Sequence, residues 1–445
     1  MPASISTPIV AQPGDRDLEA AVVSRLTRRL MPFLFLLYIV AYLDRINVGF
    51  AALQMQRQLG FNDTVYGLGA GMFFAGYFFF QVPSNLVLYR VGARRWIAGL
   101  MVVWGAISAS MILVSGPKSF YALRFLLGAA EAGFFPGMIL YLRHWFPANA
   151  RARAVAWFMT AAPLSGVVGG PISGALLGFH HRAGLMGWQW LFLMEGLPAI
   201  ILGGVVLFVL ADSPKTASWL SEDQRNWLVE NLEREHQSLA SNESHAFAAF
   251  TLGRIWLLAF VYFALNMGSY GVALWLPNVI RSLSGMSDFQ LGVLSTVPYI
   301  AAAITMVLVG LHSDHSGERR WHVALSASAG AVALLSFGQS HSLAPVIAAL
   351  SIAVMAVFSM CGPFWAIPSN FLSGTAAAAG IALINSVGNL GGFFGPYVIG
   401  RVRTSTGQFG GGLLTIGAFL AAAAIVVLLV RPRPLSDTPK PLPTR

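Results

Sequence analysis

Long apolar runs alternate with short polar segments along the whole 445-residue chain. A helix of about 20 apolar residues spans the hydrocarbon core of a bilayer, and the chain holds twelve windows of that kind. They predict transmembrane helices near residues 31–50, 65–88, 97–114, 120–141, 153–178, 188–210, 254–280, 289–311, 321–339, 343–366, 376–400 and 410–430. We therefore predict an all-α polytopic membrane protein with twelve transmembrane helices.

The longest polar segment divides the predicted helices into two groups of six. Residues 211–252 contain SPKTASWLSEDQRNWLVENLEREHQS, which predicts a linker with an amphipathic helix. Six-helix bundles are expected at 31–210 and 253–430, with terminal tails at 1–30 and 431–445. The chain thus has two similar membrane domains joined by one polar segment.

The distribution of Lys and Arg predicts the orientation of the chain. An even number of helices places both termini on one side, where 20 Lys and Arg lie, against 6 in the opposite loops. The positive-inside rule then makes the termini and the linker cytoplasmic. Because the net charge of +10 is a topology signal, we expect no nucleic-acid partner.

Composition agrees with this picture and excludes other classes. Hydrophobic residues make up 56% of the chain and charged residues 10%, where soluble domains carry about a quarter. The mean hydropathy is +0.66. The single cysteine, Cys361, excludes an internal disulfide and a multi-cysteine metal site. The membrane segments contain no nucleophile with a base and no metal-ligand spacing, so we expect no enzyme, no metal and no cofactor.

An internal repeat with an offset of 225 residues relates the two halves. RVGARRW at 90–96 matches HSGERRW at 315–321, and Pro171 matches Pro396 at the same offset. Parallel repeats about an axis normal to the membrane are a transporter architecture. The chain is interpreted as a duplicated six-helix unit.

The repeated loop resembles a motif of the major facilitator superfamily, G-x-x-x-D-R-x-G-R-R. GLHSDHSGERR at 310–320 carries one copy. In the other copy, NLVLYRVGARR, Asn85 replaces the glycine and Tyr89 the aspartate. With twelve helices the resemblance covers nearly the whole chain and implies the major facilitator fold. It assigns a conformational role to Arg90, Gly92, Arg94, Arg95, Asp314, Gly317, Arg319 and Arg320.

Four charged residues lie inside predicted helices. Asp44 and Arg45 follow LMPFLFLLYIVAYL, and a helix entering near Met31 places Asp44 about 20 Å deep. Arg124 and Glu131 are seven residues apart, nearly two turns, so they share one helix face. Charges at such depth normally face a bundle interior or a wet cavity and serve a transport pathway. Structural ion pairs, Asp44 with Arg45 or Glu131 with Arg124, are the alternative interpretation.

The repeat makes these charges an asymmetric set. The offset of 225 carries the four positions to Ser269, Tyr270, Ala349 and Ala356. A scaffold requirement should appear in both repeats, so the asymmetry indicates substrate and proton chemistry in the N-terminal half. Two arginines suit a carboxylate, because the guanidinium group binds it bidentately. A carboxyl group such as Glu131 in a partly dry helix interior is able to take up a proton.

Four segments resemble the anion:cation symporter family within this superfamily. They are YLDRINVG, GYFFFQVPSNLVLYRVGARR, RFLLGAAEAGFFPG and GIALINSVGNLGGFFGPYVIG. Members include bacterial transporters of tartrate, sugar acids and aromatic acids, so the resemblance implies proton-coupled uptake of an organic anion across a bacterial inner membrane. It also implies that Asp44 and Glu131 are protonation sites. Arg45 and Tyr77 would contact substrate, and Arg124 would orient the acidic residue or the substrate.

Uncharged residues of the C-terminal half complete the candidate substrate site. The hydroxyl groups of a sugar acid would need hydrogen-bonding partners, although such residues also join membrane helices to one another. Asn385 and Asn389 are four residues apart and share a helix face. The candidates are Asn266, Ser269, Tyr270, Trp365, Ser369, Asn370, Asn385, Ser386 and Asn389.

The sequence therefore predicts a monomeric secondary transporter in the bilayer that imports an organic carboxylate with protons by alternating access. A hydroxylated acid such as tartrate or a sugar acid is favoured. An aromatic acid is the close alternative, since an apolar pocket is available from Phe73, Phe74, Tyr77, Phe78 and Trp365. An uncoupled uniporter or an anion exchanger also fits. A membrane sensor fits less well, because the predicted tails are short.

Overall fold

The computed structural model describes residues 13–240, 251–337, 342–369 and 374–430. Helices dominate these residues, and none of them forms a β-strand. The predicted all-α fold class is thereby confirmed. The predicted C-terminal tail and the first part of the N-terminal tail lie outside the described residues.

Seventeen α-helices occur within the described residues. Those up to residue 240 are α1 (Pro13–Ile46), α2 (Val48–Leu59), α3 (Asp63–Val91), α4 (Ala93–Ser110), α5 (Pro117–Glu131), α6 (Phe134–Trp145), α7 (Ala148–Met159), α8 (Ala161–Leu177), α9 (Gly187–Val209) and α10 (Glu222–Ala240). Those after it are α11 (Gly253–Leu283), α12 (Asp288–Leu294), α13 (Thr296–Ser316), α14 (Arg320–Leu335), α15 (Leu343–Ser369), α16 (Gly374–Thr406) and α17 (Gly410–Leu429).

These helices correspond to the twelve predicted spans. The pairs α1 and α2, α5 and α6, α7 and α8, and α12 and α13 each form one interrupted span, and α10 lies in the linker. In the described part of the chain, ten spans are long and apolar enough to cross a membrane. The remaining two predicted spans correspond to α14 and α16, which have 16 and 33 residues.

Two interruptions lie beside charged residues. The helix α1 ends one residue after Arg45, and α5 ends at Glu131. At the second break the backbone packs tightly, since a Cβ on Gly133 would lie 1.9 Å from Oγ of Ser84. Interrupted membrane helices are a recurrent feature of transporter binding sites. The breaks therefore direct attention to these two charges.

The first helix begins within the predicted N-terminal tail, which differs from the sequence-based boundary. Val22 and Leu26 are fully buried and four residues apart, so they form one apolar stripe on α1. Arg25 on the same helix donates a hydrogen bond to Gln224 of α10 at 3.2 Å. Burial of this stripe explains why the helix extends beyond the membrane span.

The linker with α10 covers one end of the N-terminal bundle, which we call the linker face. Arg94 of the predicted loop motif donates to the carboxylate of Asp212 at 2.9 Å and to the carbonyl of Leu207 at 2.6 Å. Arg151 pairs with Glu235 of α10 at 2.8 Å. These contacts fix the linker to the bundle, and we call the other end of the helices the opposite face.

The second copy of the loop motif has its own ion pair. Arg319 donates to Asp314 at 2.6 Å, and Arg320 donates to the carbonyl of Leu428 at 3.3 Å. In the first copy Arg90 and Arg95 are exposed and form no ion pair with the described residues. Arg94 is the repeat equivalent of Arg319, and since Tyr89 replaces the aspartate in that copy, this arginine pairs with Asp212 of the linker instead.

The two motif glycines connect consecutive membrane helices. Gly92 joins α3 to α4 with φ +88°, and Gly317 joins α13 to α14 with φ +67°. Glycine adopts such backbone conformations without the steric cost that a Cβ atom brings. The equivalent positions in the two repeats therefore make the same kind of chain reversal.

Candidate functional site

Arg45 lies at the centre of the contact between the two bundles. Its guanidinium group forms an ion pair with the buried carboxylate of Glu131 in α5. Its Nη1 atom donates a hydrogen bond of 2.9 Å to the hydroxyl of Tyr270 in α11. One cation thus joins an acidic residue of its own bundle to a hydroxyl of the other bundle.

Arg45 and Tyr270 are also equivalent positions of the internal repeat. They are separated by 225 residues, which is the offset between the repeats. Two equivalent residues are able to touch each other only where both lie close to the axis that relates the repeats. The Arg45 site therefore lies on the pseudo-symmetry axis of the molecule.

Aromatic rings surround the two buried arginines. The guanidinium carbon of Arg45 lies 5.3 Å from the ring centre of Phe73 and 5.4 Å from that of Tyr77. The guanidinium carbon of Arg124 lies 5.1 Å from the same Phe73 ring. These distances are within the range of cation–π attraction. Because both cations flank one ring, they are at most about 10 Å apart.

Arg124 is fully buried, and none of its three guanidinium nitrogens has a hydrogen-bond partner among the described residues. The sequence allowed an ion pair with Glu131, but the structure pairs Glu131 with Arg45 instead. Seven-residue spacing places Arg124 and Glu131 on one face, yet nearly two turns of helix separate them. A buried cation without a partner is costly, so Arg124 is a candidate for binding an anion.

Asp44 occupies a separate polar pocket between α1 and α4. Its carboxylate accepts hydrogen bonds from Oγ of Ser108 at 2.6 Å and from Nε1 of Trp104 at 3.2 Å. The alternative prediction of an ion pair between Asp44 and Arg45 is wrong, because consecutive helix residues point about 100° apart. Among the described residues, no cation pairs with Asp44.

The predicted aromatic pocket is only partly assembled at this site. Phe74 packs against Tyr270 with ring centres 4.3 Å apart, so it belongs to the Arg45 environment with Phe73 and Tyr77. Phe78 instead contacts Phe79, whose side chain is 64% exposed on the outside of the bundle. Three of the four predicted α3 aromatics therefore surround the charged centre.

Trp365 lies in an aromatic group of the C-terminal bundle. Its ring centre is 4.8 Å from that of Tyr262, which stacks on Phe364 at 5.3 Å. Asn266 donates to the carbonyl of Tyr262 at 3.0 Å, so its amide is engaged within α11. The structure therefore places Trp365 beside α11 and gives Asn266 a local role.

The polar positions of α16 differ in their engagement. Ser386 donates to Gln81 of the other bundle at 3.3 Å. The amide of Asn385 is half-buried and that of Asn389 is 8% exposed, and neither makes a hydrogen bond to the described part of the chain. Asn370 and the side chain of Ser369 lie outside the described residues. The two free amides remain available to a ligand.

One buried acid, Glu195 of α9, is absent from the site residues predicted from the sequence. Its side chain accepts a hydrogen bond from Ser173 at 2.8 Å, and the residue is 5% exposed. The signal was present, because Glu195 interrupts the apolar segment WQWLFLMEGLPAI. The same rule that identified Asp44 and Glu131 would have identified it.

Polar contacts between the bundles concentrate at the opposite face. Arg403 of α16 pairs with Asp63 of α3 at 2.9 Å, and the hydroxyls of Thr64 and Thr404 lie 2.8 Å apart. The helices also touch directly, since a Cβ on Gly400 would lie 2.3 Å from the carbonyl oxygen of Asp63. We call these four polar residues the opposite-face latch.

A second pair of helices closes the same face. Gln54 of α2 donates to Asp288 of α12 at 2.8 Å, and Asp288 also pairs with Arg281. Tyr66 donates to the carbonyl of Leu274 at 2.7 Å. These contacts separate the Arg45 site from the opposite face.

Weakening the latch should open the opposite face. The ion pair of Asp63 and Arg403 is about one quarter exposed, so we expect Asp63→Asn to destabilise the closed state by about 1 kcal/mol, or about fivefold. The reporter is Ala70→Cys in a Cys361→Ser background, because Ala70 is fully buried in α3 behind the latch. Labelling by a maleimide added at the opposite face should be about five times faster in Asp63→Asn.

The matched control is Asp212→Asn, which removes an ion pair between the linker and the N-terminal bundle at the linker face. That substitution should leave the labelling rate of Ala70→Cys unchanged. Equal rates in Asp63→Asn and in the parent protein would show that the latch does not hold the opposite face closed.

Comparisons with known proteins agree with this architecture. A family model described as Major Facilitator Superfamily matches residues 34–396. A protein of Agrobacterium vitis whose name proposes it as a tartrate transporter is 52% identical over 415 residues, covering 93% of this chain and 95% of that protein. A quinolone resistance transporter of Acinetobacter baumannii is 42% identical over 418 residues, covering 93% and 96%.

A solved structure has the same fold. The crystal structure of a bacterial homologue of the human lysosomal transporter Spinster matches with a TM-score of 0.73 at 16% identity, covering 90% of this chain and 96% of that chain. At that identity the likeness shows the fold alone. The family match covers most of the chain, and the relatives match it over nearly their whole length. This chain is therefore a multi-pass membrane transporter that belongs to the major facilitator superfamily.

Proposed function

We propose that this protein imports an organic carboxylate together with protons across a bacterial inner membrane. One observation carries the proposal: Arg45, the cation suited to a carboxylate, is paired with the buried acid Glu131 and bonded to Tyr270 of the other bundle. A proton on Glu131 and an anion on Arg45 would therefore act on the same ion pair. The similarity to a protein named for tartrate transport supports the class of substrate.

The ion pair supplies a physical route to coupling. When Glu131 takes up a proton it loses its negative charge, and Arg45 is left as a buried cation without a counterion. A substrate carboxylate in place of Glu131 restores the pairing through a bidentate contact. One proton and one carboxylate together add no net charge to the site, so each favours binding of the other.

Arg124 favours a substrate with a second acidic group. It already presents unpaired donors, and it flanks the same Phe73 ring as Arg45. A four-carbon hydroxylated diacid such as tartrate would offer one carboxylate to each arginine. Its hydroxyl groups would then be able to reach neutral amides such as Asn385 and Asn389.

The arrangement of contacts supports alternating access. The latch and the α2 to α12 contacts close the opposite face around the site. We infer that the linker face is cytoplasmic, because the loops on that side carry most of the Lys and Arg. The structure would then represent a state closed to the outside, and breaking of the latch would admit substrate.

The test is uptake of labelled tartrate into proteoliposomes, with and without an inward proton gradient, by wild type and Glu131→Gln. Glutamine resembles the protonated acid in shape and cannot ionise. We therefore expect the variant to continue exchanging external tartrate for internal tartrate. Its accumulation of tartrate with the proton gradient should fall to the level measured without that gradient.

Glu230→Gln on the exposed face of α10 is the matched control, because it removes a carboxylate far from the membrane site. Proton-driven accumulation by Glu131→Gln at the wild-type level would remove Glu131 from coupling. Exchange without accumulation in wild type would instead identify an exchanger or a uniporter. Parallel assays with sugar acids and aromatic acids decide the class of substrate.

A further inference from the structure

Glu195 is a buried acid that the proposed mechanism does not use. Its Oε1 atom accepts the hydrogen bond from Ser173, and its Oε2 atom has no hydrogen-bond partner in the part of the chain that the structure describes. No Lys, Arg or His among the described residues forms an ion pair with it. A neutral side chain at this position could accept the hydrogen bond from Ser173 equally well. The hydrogen bond between α8 and α9 therefore does not explain why the residue is an acid.

The neighbourhood of Glu195 connects it to Asp44. The next residue, Gly196, packs so closely on α4 that a Cβ would lie 3.2 Å from Cβ of Ser108. Ser108 is the residue whose hydroxyl binds Asp44. The carboxyl groups of Asp44 and Glu195 also repel each other electrostatically. The two acids therefore belong to one polar region between α1, α4 and α9.

A polar side chain lies between the two acids. Asn47 follows Asp44 by three residues, at the turn between α1 and α2, and approaches the carboxyl group of Glu195. The residue is 1% exposed, and neither atom of its amide has a geometrically good hydrogen bond. Its amide is thus in position to connect Asp44 with Glu195.

The register of the helices gives the order of these groups across the membrane. Gly187 at the start of α9 contacts Gln54, and Glu195 lies eight residues further, about 12 Å along the helix. Asn47 lies seven residues before Gln54, about 10 Å along the first span. Asp44 lies ten residues before Gln54, about 15 Å along the span. Glu195 is therefore close to the level of Asn47 and about 3 Å nearer the opposite face than Asp44.

The helices around α9 contain few groups that could stabilise a second negative charge. Asp44 on α1 interacts electrostatically with Glu195, while Ser173 on α8 and Asn47 between α1 and α2 are neutral. Glu131 also acts on Asp44, and Arg124 is the cation that interacts with it. Among the described residues neither Asp44 nor Glu195 forms an ion pair, and buried carboxylates without a paired cation are costly. A proton shared by the pair removes that cost.

We propose that Glu195 and Asp44 form a second proton-binding site, separate from Glu131, whose proton moves with the substrate. Glu195 is the member of the pair nearer the opposite face, so it exchanges protons with that side when the latch opens. The inference about transport rests on the proposed function, whereas the inference about proton binding does not need it.

Infrared difference spectroscopy tests proton binding without any substrate. Purified protein in liposomes is titrated across the neutral range, and the carbonyl stretch of protonated carboxyl groups is recorded. Glu195→Gln should lose one such band relative to wild type, while Glu230→Gln on exposed α10 should keep all of them. Ser173→Ala removes a hydrogen bond from Glu195 and should shift the same band to higher frequency. Should Glu195→Gln not fold, this shift carries the test.

Identical bands in wild type, Glu195→Gln and Ser173→Ala would overturn the assignment of a proton to Glu195. The second measurement is the number of protons moved per tartrate. It is obtained from the proton and tartrate gradients at which the net flux of tartrate changes direction. That number should be lower by one in Glu195→Gln and unchanged in Glu230→Gln. If Glu195→Gln loses the infrared band but moves the same number of protons per tartrate, the proton on Glu195 is not transported, and that part of the proposal is overturned. Absence of tartrate transport in wild type would contradict the proposed function and leave the infrared result standing.

Discussion

Replacing Arg45 with glutamine is expected to lower proton-driven tartrate uptake by at least about 100-fold. A bidentate, charge-assisted contact to a carboxylate contributes about 3 kcal/mol, which corresponds to more than 100-fold in affinity. Arg45→Lys keeps the charge but loses the planar pair of donors, so we expect it to retain only part of the activity. Initial uptake rates over a range of tartrate concentrations measure both effects.

The same substitution should also destabilise the protein, for a reason that is separable from transport. Glu131 would remain buried without its cation, and removal of one partner from a buried ion pair costs about 3–5 kcal/mol. The loss of thermal stability in Arg45→Gln should shrink as pH is lowered, because a proton on Glu131 removes the unpaired charge. The double variant Arg45→Gln, Glu131→Gln should recover stability and still fail to transport.

Recovery of transport in the double variant would contradict a direct contact between Arg45 and substrate. It would show that Arg45 serves only to neutralise Glu131. Loss of stability that is equal at all pH values would show instead that Arg45 supports the fold through Tyr270 and its aromatic neighbours. Thermal unfolding and uptake measured on the same preparations separate these outcomes.

The sequence was a good guide to the helices and a partial guide to the site. Apolar length determines a membrane helix almost by itself, and all twelve predicted runs coincide with helices of the structure. The repeat offset also identified Tyr270 as the counterpart of Arg45. Their contact was not predictable, because the offset identifies equivalent residues but not their distance from the axis that relates the repeats.

Pairing of the charges was the part that the sequence could not determine. Spacing along α5 shows that Arg124 and Glu131 share a face, but it contains no information about which helix crosses that face. The structure brings α1 against Glu131 and leaves Arg124 beside Phe73. Glu195 is a different case, because a charged residue inside the predicted helix 188–210 is a signal that the sequence does contain.

Replacing Arg124 with glutamine is expected to change stability and transport in opposite directions. A fully buried guanidinium group without hydrogen-bond partners destabilises the fold, so the neutral Arg124→Gln variant should unfold at a higher temperature. Tartrate uptake should nevertheless fall by at least about tenfold, because one charge-assisted contact contributes about 1.5–3 kcal/mol to anion binding. Thermal unfolding without substrate and uptake kinetics measure the two effects.

Arg124→Lys is the matched control, because it retains a buried charge but not the guanidinium group. It should therefore gain no stability and still transport poorly. A destabilised Arg124→Gln would mean that the arginine supports the fold, with its contact to Phe73 as the candidate cause. If Arg124→Gln transports a monocarboxylate normally and fails only with tartrate, the two arginines divide the two carboxylates between them. That pattern would make the distance between Arg45 and Arg124 the determinant of substrate length.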